Sequence, residues 1–297
     1  MKLSANLLAS ASVSGLFNHL WADPDLGSSL YGEDWMINIF HGGAAGDRMT
    51  GGWMNDVFIG NGGDDVMFGS YGNDLFDGGA GNDRIYTGLG DDIASGGYGN
   101  DIILAEDDGW EGNFSQLYGD GGNDIILDGA GYGNVYGGAG NDRLSGKGNI
   151  DFLSGDAGND RIYGGTENDY LFGGTGKDTL QGGDGDDFLS GDLGRDVLLG
   201  GNGNDTLLAQ DMGDRLHGGA GADAFLFGDS FATGASIDDY IAAQGDVIGL
   251  VGGALVAAWL NTATGTMVTL SDGSDFFVNG AAYEDLNIIS DFWGNLG

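Results

Sequence analysis

The chain has 297 residues, among them 64 glycines, one proline and no cysteine, and its 46 acidic against nine basic residues give a formal net charge of −37. The lack of cysteine excludes a disulfide scaffold, a thiolate zinc site and a cysteine nucleophile, while the charge argues against nucleic acid and anionic membranes as partners. No apolar run long enough for a membrane-spanning helix is present, and without a Gly-X-Y period the glycines do not form collagen.

Residues 1–41 show no repeat and are predicted to be an N-terminal cap or docking segment. Their apolar residues, such as Leu16, Leu20 and Trp35, predict a short helix over residues 3–20 and an extended segment near 35–40. Because the end of a solenoid exposes strand edges and core, a cap is the expected role. Docking on another copy is the alternative, and Lys2 before a mildly apolar stretch leaves a signal peptide open.

From Gly42 to Leu226 the sequence repeats every nine residues, with one interruption at 105–118. Seven regular repeats before the interruption and twelve after it share the pattern G-G-x-G-x-D-x-U-x, in which U is apolar. Position 6 is Asp in 18 of these 19 repeats, Gly133 being the exception, and position 8 is apolar in all of them. The irregular segment is interpreted as one more repeat with a five-residue insertion. Such a register indicates a solenoid.

The residue types within each repeat predict its conformation. The first six residues form a turn in which glycines adopt positive φ without a Cβ penalty. The last three, x-U-x, form a short strand whose apolar side chain points opposite to its neighbours. Two repeats complete one coil, so stacked coils form two parallel sheets that enclose a core of position-8 side chains. We therefore predict an all-β protein built as a parallel β-roll.

The turns also predict a metal. Glycine-rich turns direct backbone carbonyls inward and the Asp at position 6 adds a carboxylate, a combination that suits a Ca²⁺ shell of six to eight oxygens. Turns two repeats apart lie above one another and can share an ion. With roughly one Ca²⁺ for each pair of stacked turns, on the order of 17 ions bind. Asp also shapes turns on its own, but turn formation alone requires no nine-residue phase.

These repeats resemble the RTX (repeats-in-toxin) family of calcium-binding β-rolls, and the resemblance covers residues 42–226. It implies a right-handed roll in which position-6 carboxylates and turn carbonyls bind Ca²⁺. Met54 and Glu167 in place of the fourth glycine, Gly133, and the insertion weaken individual sites. The implied ligands are Asp47, Asp56, Asp65, Asp74, Asp83, Asp92, Asp101, Asp124, Asp142, Asp151, Asp160, Asp169, Asp178, Asp187, Asp196, Asp205, Asp214 and Asp223.

Residues 227–297 contain no Lys or Arg. The segments 235–250 and 266–293 resemble the tail that follows RTX repeats in serralysin-like secreted proteins. That resemblance implies a C-terminal cap of antiparallel strands and an uncleaved signal for type I secretion. It places the protein outside a bacterial cell, secreted or on the cell surface.

The outward-facing strand positions separate into two rows when alternate repeats are assigned to alternate sheets. One row carries all five position-7 arginines and a set of aliphatic residues, and the other carries aromatic residues. Exposed apolar rows of this kind mark an interaction surface, unless the termini or the insertion fold over them. The rows are Arg48, Arg84, Arg143, Arg161 and Arg215 with Val66, Phe68, Ile102, Leu104, Ile125, Leu127, Val197 and Leu199, and Val57, Ile59, Tyr118, Tyr136, Phe152, Tyr170, Phe172 and Phe188.

The sequence predicts no enzyme, because none of His19, His41 and His217 lies in H-E-x-x-H and no G-x-S-x-G elbow occurs. We expect a secreted protein that folds on Ca²⁺ binding and self-assembles into an extracellular matrix, filament or surface layer, with other copies of itself as partners. One alternative is a monomeric calcium-dependent adhesin for polysaccharide or a host surface. Another is a module associated with a toxin or an enzyme.

Overall fold

The computed structural model describes residues 17–106, 114–211, 213–227, 234–251, 256–271 and 274–290. These residues form strands and turns, and their only helices are two single 3-10 turns, Ala242–Gln244 and Tyr283–Asp285. The described part of the chain contains no helix long and apolar enough to cross a membrane. The chain divides into an N-terminal unit, Met1–Gly146, and a C-terminal unit, Lys147–Gly297.

In the N-terminal unit the strands alternate between two parallel sheets. The first sheet holds β1 (Phe17–Trp21), β3 (Ile37–His41), β5 (Val57–Ile59), β7 (Leu75–Ala80), β9 (Ile93–Tyr98), β11 (Phe114–Gly121) and β13 (Tyr132–Ala139). The second holds β2 (Ser29–Tyr31), β4 (Arg48–Thr50), β6 (Val66–Phe68), β8 (Arg84–Tyr86), β10 (Ile102–Leu104), β12 (Ile125–Leu127) and β14 (Arg143–Lys147). Val66 pairs with Arg84, two repeats further on, so two repeats form one coil, as predicted.

The C-terminal unit also has two sheets. The first holds β15 (Phe152–Gly158), β17 (Tyr170–Phe172), β20 (Phe188–Ser190), β23 (Thr206–Ala209), β25 (Ala224–Phe227), β27 (Val247–Leu250) and β31 (Ile288–Ser290), with the short β18 (Thr175–Gly176) and β21 (Leu193–Gly194) beside it. The second holds β16 (Arg161–Thr166), β19 (Thr179–Asp184), β22 (Val197–Asn202), β24 (Arg215–Ala220), β26 (Ala235–Ile237), β30 (Asp275–Asn279), β29 (Gly265–Leu270) and β28 (Val256–Asn261). The hairpins β28–β29 and β29–β30 are antiparallel, which confirms the predicted antiparallel strands near the C-terminus.

The core of each unit is a column of position-8 side chains. Every position-8 residue of the regular repeats is buried, from Met49 in the N-terminal unit to Phe225 in the C-terminal unit. Phe40, Phe58 and Phe76 stack face to face, with successive ring centroids 4.6 Å apart. Because the strands are in parallel register, the apolar side chains of successive coils lie above one another and form a continuous column.

The structure corrects the prediction for the N-terminal segment. Residues 17–20 are strand and not helix, because β1 pairs in parallel with β3 and Leu20 aligns with the buried Phe40. The rest of the predicted helix, residues 3–16, lies outside the described residues. The extended segment near 35–40 is confirmed by β3. Strand pairing therefore begins before Gly42, while the division into 1–41, 42–226 and 227–297 stays a prediction about sequence domains.

The insertion and the outward rows follow the predicted register. Leu117 pairs with Ala94 on one side and with Val135 on the other, so residues 114–118 complete a repeat after the insertion. Most of the insertion, residues 107–113, lies outside the described residues. In the N-terminal unit Arg48 and Arg84 lie on the second sheet, whereas Tyr118 lies on the first. The predicted separation into two faces is therefore correct there.

Candidate calcium sites in the turns

The position-6 aspartates form ladders of hydrogen bonds, including two in each unit. One carboxylate oxygen, Oδ1, of each Asp accepts the backbone N–H of the Asp one coil earlier, at 2.6–3.1 Å. In the N-terminal unit the ladders are Asp47, Asp65, Asp83, Asp101, Asp124 and Asp142, and Asp56, Asp74 and Asp92. In the C-terminal unit they are Asp151, Asp169, Asp187, Asp205, Asp223 and Asp246, and Asp160, Asp178, Asp196 and Asp214.

All eighteen predicted ligand residues are buried, with at most 3% of their surface exposed. The second carboxylate oxygen, Oδ2, is the informative atom. It is buried and accepts no hydrogen bond from the described residues in Asp65, Asp74, Asp83, Asp101, Asp124, Asp169, Asp178, Asp187, Asp196, Asp205 and Asp223. A buried charged oxygen without a partner is costly, so this array requires protons or cations.

The pKa values of these carboxyl groups also indicate that protons or cations are needed beside them. Burial raises the pKa of Asp65 and of Asp74 to about 8, and the carboxylates one coil away on the same ladder add to the rise. Burial likewise raises the pKa of Asp187 and of Asp205 to about 7. Near neutral pH the ladders cannot ionise fully without a compensating positive charge.

A second oxygen lies close to each carboxylate. At Gly60 an ideal Cβ would approach both Asp65 Oδ2 and the carbonyl oxygen of Gly78 more closely than any real Cβ does. The same pair of oxygens, from the repeat's own Asp and from the next coil, surrounds Gly78 and Gly200. Position 1 is glycine in most repeats, and at Gly60, Gly78 and Gly200 a side chain would fill this space. The exceptions at position 1 are Thr87, Asp128 and Ala209. Carboxylate and carbonyl oxygens are the ligands that Ca²⁺ prefers, so the residues present fit the predicted ion.

The spacing between the carboxylate ladders limits which ligands could coordinate a metal ion in the turns. Across the described ranges no three His, Asp or Glu side chains converge closely enough to hold a metal ion. An ion in these turns would therefore combine carboxylates from stacked repeats with backbone carbonyls. Hard oxygen donors of this mixed kind suit Ca²⁺ better than a transition metal.

The ladders have end residues that the sequence prediction missed. Asn38 occupies position 6 ahead of Asp56, and its backbone N–H and side-chain Nδ2 both donate to Asp56 Oδ1, at 2.6 and 2.9 Å. Asp246 extends another ladder, because its Oδ1 accepts Asp223 N–H at 3.1 Å and its Oδ2 accepts Ile241 N–H at 2.7 Å. Residues 246–248, Asp-Val-Ile, match positions 6 to 8 of the repeat. They were missed because they lie beyond the last regular repeat and outside its nine-residue register.

A second ladder, of asparagines, was also missed because position 5 was left open in the repeat pattern. In the N-terminal unit Asn82 Oδ1 accepts Asn100 N–H at 2.9 Å, and Asn100 Oδ1 accepts Asn123 N–H at 2.7 Å. These exposed amides tie each turn to the next on its solvent side. They hold the carboxylate ladder in register from outside.

Replacing Gly60 by alanine is expected to lower the free energy of unfolding in saturating Ca²⁺ by about 1–3 kcal/mol, since the new Cβ collides with Asp65 Oδ2 and the Gly78 carbonyl. Urea unfolding measured with and without Ca²⁺ tests this. Gly62→Ala in the same repeat is the matched control, because its Cβ would make only ordinary contacts of 3.7 Å or more. Equal stability of the two variants would contradict the assignment of a cradle to position 1.

The geometry defines a class of protein: a parallel β-roll whose turns carry ladders of buried carboxylates. The profile of the RTX calcium-binding nonapeptide repeat (HemolysinCabind) matches residues 36–67, 50–85, 77–108, 118–153, 136–171, 145–180, 172–207 and 199–230. These matches together span more than half of the chain. The chain therefore belongs to the family of RTX calcium-binding repeat proteins.

Two solved structures are similar to this chain. One is the AlgE6R3 subunit from the Azotobacter vinelandii mannuronan C5-epimerase, with 23% identity, covering 44% of this chain and 77% of that chain at a TM-score of 0.29. The other is a hyperactive, Ca²⁺-dependent, β-helical antifreeze protein from an Antarctic bacterium, with 17% identity, covering 81% of this chain and 86% of that one at a TM-score of 0.35. No curated protein matches the chain.

Proposed function

We propose that this protein is a secreted, extracellular structural protein that folds when its turns bind Ca²⁺ and then self-assembles. The observation that carries the calcium-dependent part is the array of buried carboxylates whose Oδ2 atoms lack a hydrogen bond. A chain selected only to form turns would leave these oxygens in solvent. Burying them in register, several of them beside a backbone carbonyl of the next coil, is useful when a cation joins them.

The mechanism couples binding to folding. At low Ca²⁺ the carboxylates repel one another and the glycine-rich turns retain large conformational entropy, so the chain stays unfolded and suited to passage through a type I secretion channel. Bound Ca²⁺ would supply the positive charge, and the Asp carboxylates and backbone carbonyls of the turns would coordinate it. Each carboxylate pair then fixes two stacked turns, and order spreads coil by coil. On the order of 17 ions would offset most of the net charge of −37.

The self-assembly part rests on aromatic side chains on the outer face of the first sheet in the C-terminal unit. Phe172 lies between Phe152 and Phe188, with ring centroids 5.1 and 5.8 Å away, and Tyr170 lies 6.3 Å from Phe188. The Tyr170 side chain is 51% exposed. A contiguous aromatic patch of this kind favours contact with another macromolecule, and a second copy presents the same patch by symmetry.

Light scattering after size-exclusion chromatography in millimolar Ca²⁺ tests the proposal. We expect wild-type protein to form assemblies whose mass grows with concentration, and Tyr170→Ser with Phe172→Ser to reduce that growth about tenfold. Tyr163→Ser is the matched control, because Tyr163 is an exposed tyrosine on the second sheet of the same unit. Compact monomers at every concentration would contradict self-assembly and favour the monomeric adhesin.

The proposal gives the protein no catalytic role and names other copies of the chain as its main partner. The adhesin alternative, with polysaccharide or a cell surface as partner, is favoured by a separate group of exposed aromatic residues in the N-terminal unit.

A further inference from the structure

Three aromatic side chains project in single file from one turn edge of the N-terminal unit. They are Trp35, Trp53 and Tyr71, each at the third position of its turn on three successive coils, and they are 74%, 69% and 54% exposed. We call them the aromatic stripe. The neighbouring strands β3, β5 and β7 are paired in parallel, so successive members of the stripe are about 4.8 Å apart along the stacking direction.

The stripe is held in place by its own turns. Trp53 N–H donates to the Asp34 carbonyl at 3.2 Å, and Tyr71 N–H donates to the Gly52 carbonyl at 3.1 Å. The rings of Trp53 and Tyr71 meet edge to face, with centroids 6.4 Å apart. These bonds fix the backbone from which the rings project, and aromatic side chains have only two χ angles to order when a ligand binds.

Exposed polar side chains border the stripe. Asn55 Oδ1 accepts Asn73 N–H at 3.0 Å, and Asn73 Oδ1 accepts Asp91 N–H at 3.1 Å, so a ladder of amide and carboxylate groups runs parallel to the rings. On the first of the three coils Glu33 and Asp34 are exposed beside Trp35. The border therefore offers hydrogen-bond acceptors and donors together with negative charge.

The shape and charge of the stripe favour a polysaccharide over a protein or a nucleic acid as its ligand. A protein interface needs a wide apolar centre that is sheltered by a rim, whereas here a single row of rings is flanked directly by polar groups. Nucleic acid bases also stack on aromatic rows, but phosphates would meet carboxylates on a chain of net charge −37. A pyranose presents an apolar C–H face for the ring and hydroxyl groups for the flanking amides and carboxylates.

We propose that the aromatic stripe binds a neutral, linear polysaccharide that runs along the stacking direction, with its sugar rings packed against Trp35, Trp53 and Tyr71 and its hydroxyl groups bonded to the flanking amides and carboxylates. This site is separate from the aromatic patch of the C-terminal unit. It does not depend on self-assembly, but it does require the roll to be folded.

Binding of cellohexaose and chitohexaose to the full-length protein in millimolar Ca²⁺ tests this proposal, by calorimetry and by tryptophan fluorescence. We expect at least one of the two to bind, and Trp53→Ala to weaken its affinity by about tenfold or more. Trp53→Tyr should retain most of the affinity, since a stacking surface is preserved. Trp259→Ala is the matched control, because Trp259 is a similarly exposed tryptophan, 53%, in the C-terminal unit.

Circular dichroism in Ca²⁺ confirms that each variant is folded before binding is measured, and it separates failure of this site from failure of calcium-dependent folding. Absence of binding by folded wild-type protein to both oligosaccharides overturns the proposal. So does equal affinity of the wild-type and Trp53→Ala proteins. If Trp53→Ala instead lowers the mass of the assemblies without any effect on sugar, the stripe is a contact between copies and the polysaccharide assignment is wrong.

Discussion

In calcium-free buffer near neutral pH the chain is expected to lose its parallel sheets, and millimolar Ca²⁺ is expected to restore them. The folded state buries ladders of carboxylates in both units, and burial raises the pKa of Asp65 and of Asp74 to about 8. Without a cation, folding must protonate or desolvate these groups at a cost that recurs on every coil. Far-UV circular dichroism during a Ca²⁺ titration measures the transition, which should be steep because each filled turn orders its neighbour.

Asp65→Asn distinguishes the role of charge from that of shape. Asparagine keeps the Oδ1 that accepts Asp47 N–H but removes a buried charge. The variant should therefore need several-fold more Ca²⁺ to fold, yet retain more structure than wild type in chelator. Asp64→Asn, at the adjacent exposed position, keeps the Oδ1 that accepts Asn82 N–H and removes only a solvent-exposed charge, so it should change both measurements much less than Asp65→Asn. A wild-type chain that is equally folded with chelator and with Ca²⁺ would contradict the calcium-dependent mechanism.

The repeated part of the fold is predictable because two constraints with the same period coincide. Position 8 must be apolar to fill the core, and position 6 must carry an acceptor for the backbone N–H one coil earlier. Met49 and Asp47 obey both rules, as do their counterparts in every later regular repeat except the one with Gly133. The residue types within each repeat and the register between repeats therefore predict the same fold, a parallel β-roll.

The ends of the roll are harder to predict because strand pairing there overrides local sequence. Residues 17–20 have a helix-like apolar spacing, but β1 adds to the edge of β3, and the parallel ladder decides their conformation. Asn38 is hidden as a position-6 residue because its repeat lacks the flanking glycines. A neutral side chain there is also what a ladder end requires, since it can donate to Asp56 without adding another buried charge.

The aromatic stripe was missed for a different reason. Trp35, Trp53 and Tyr71 lie at the third position, which tolerates any residue because it points to solvent. Positions free of structural constraint are where binding residues can accumulate without cost to the fold. Their alignment becomes visible only when residues eighteen apart are placed on adjacent coils.

Acidification in the presence of chelator is expected to restore part of the sheet structure. The carboxyl groups of the ladders have pKa values raised to about 6 at Asp92, about 7 at Asp124 and about 8 at Asp65, whereas unfolded Asp titrates near 3.9. A pKa that is higher in the folded state means that the folded state binds more protons. Stability without Ca²⁺ is therefore greatest below about pH 4 and falls as the pH rises through about 6 to 8.

Ca²⁺ acts on a chain whose unfolded aspartates are already ionised at about pH 5.5 and above, so folding onto Ca²⁺ releases few protons, whereas protonation of the buried carboxyl groups stabilises the folded state without the ion. Lowering the pH from about 7.5 to about 5.5 should therefore raise the folded fraction in chelator and should not raise the Ca²⁺ concentration at the folding midpoint. Circular dichroism in chelator and in Ca²⁺ at the two pH values, with scattering to exclude precipitation near the isoelectric point of 4.1, measures both effects. If chelated protein is no more folded at the lower pH, the buried carboxylates are not what keeps the chain unfolded, and repulsion among exposed charges must be the cause.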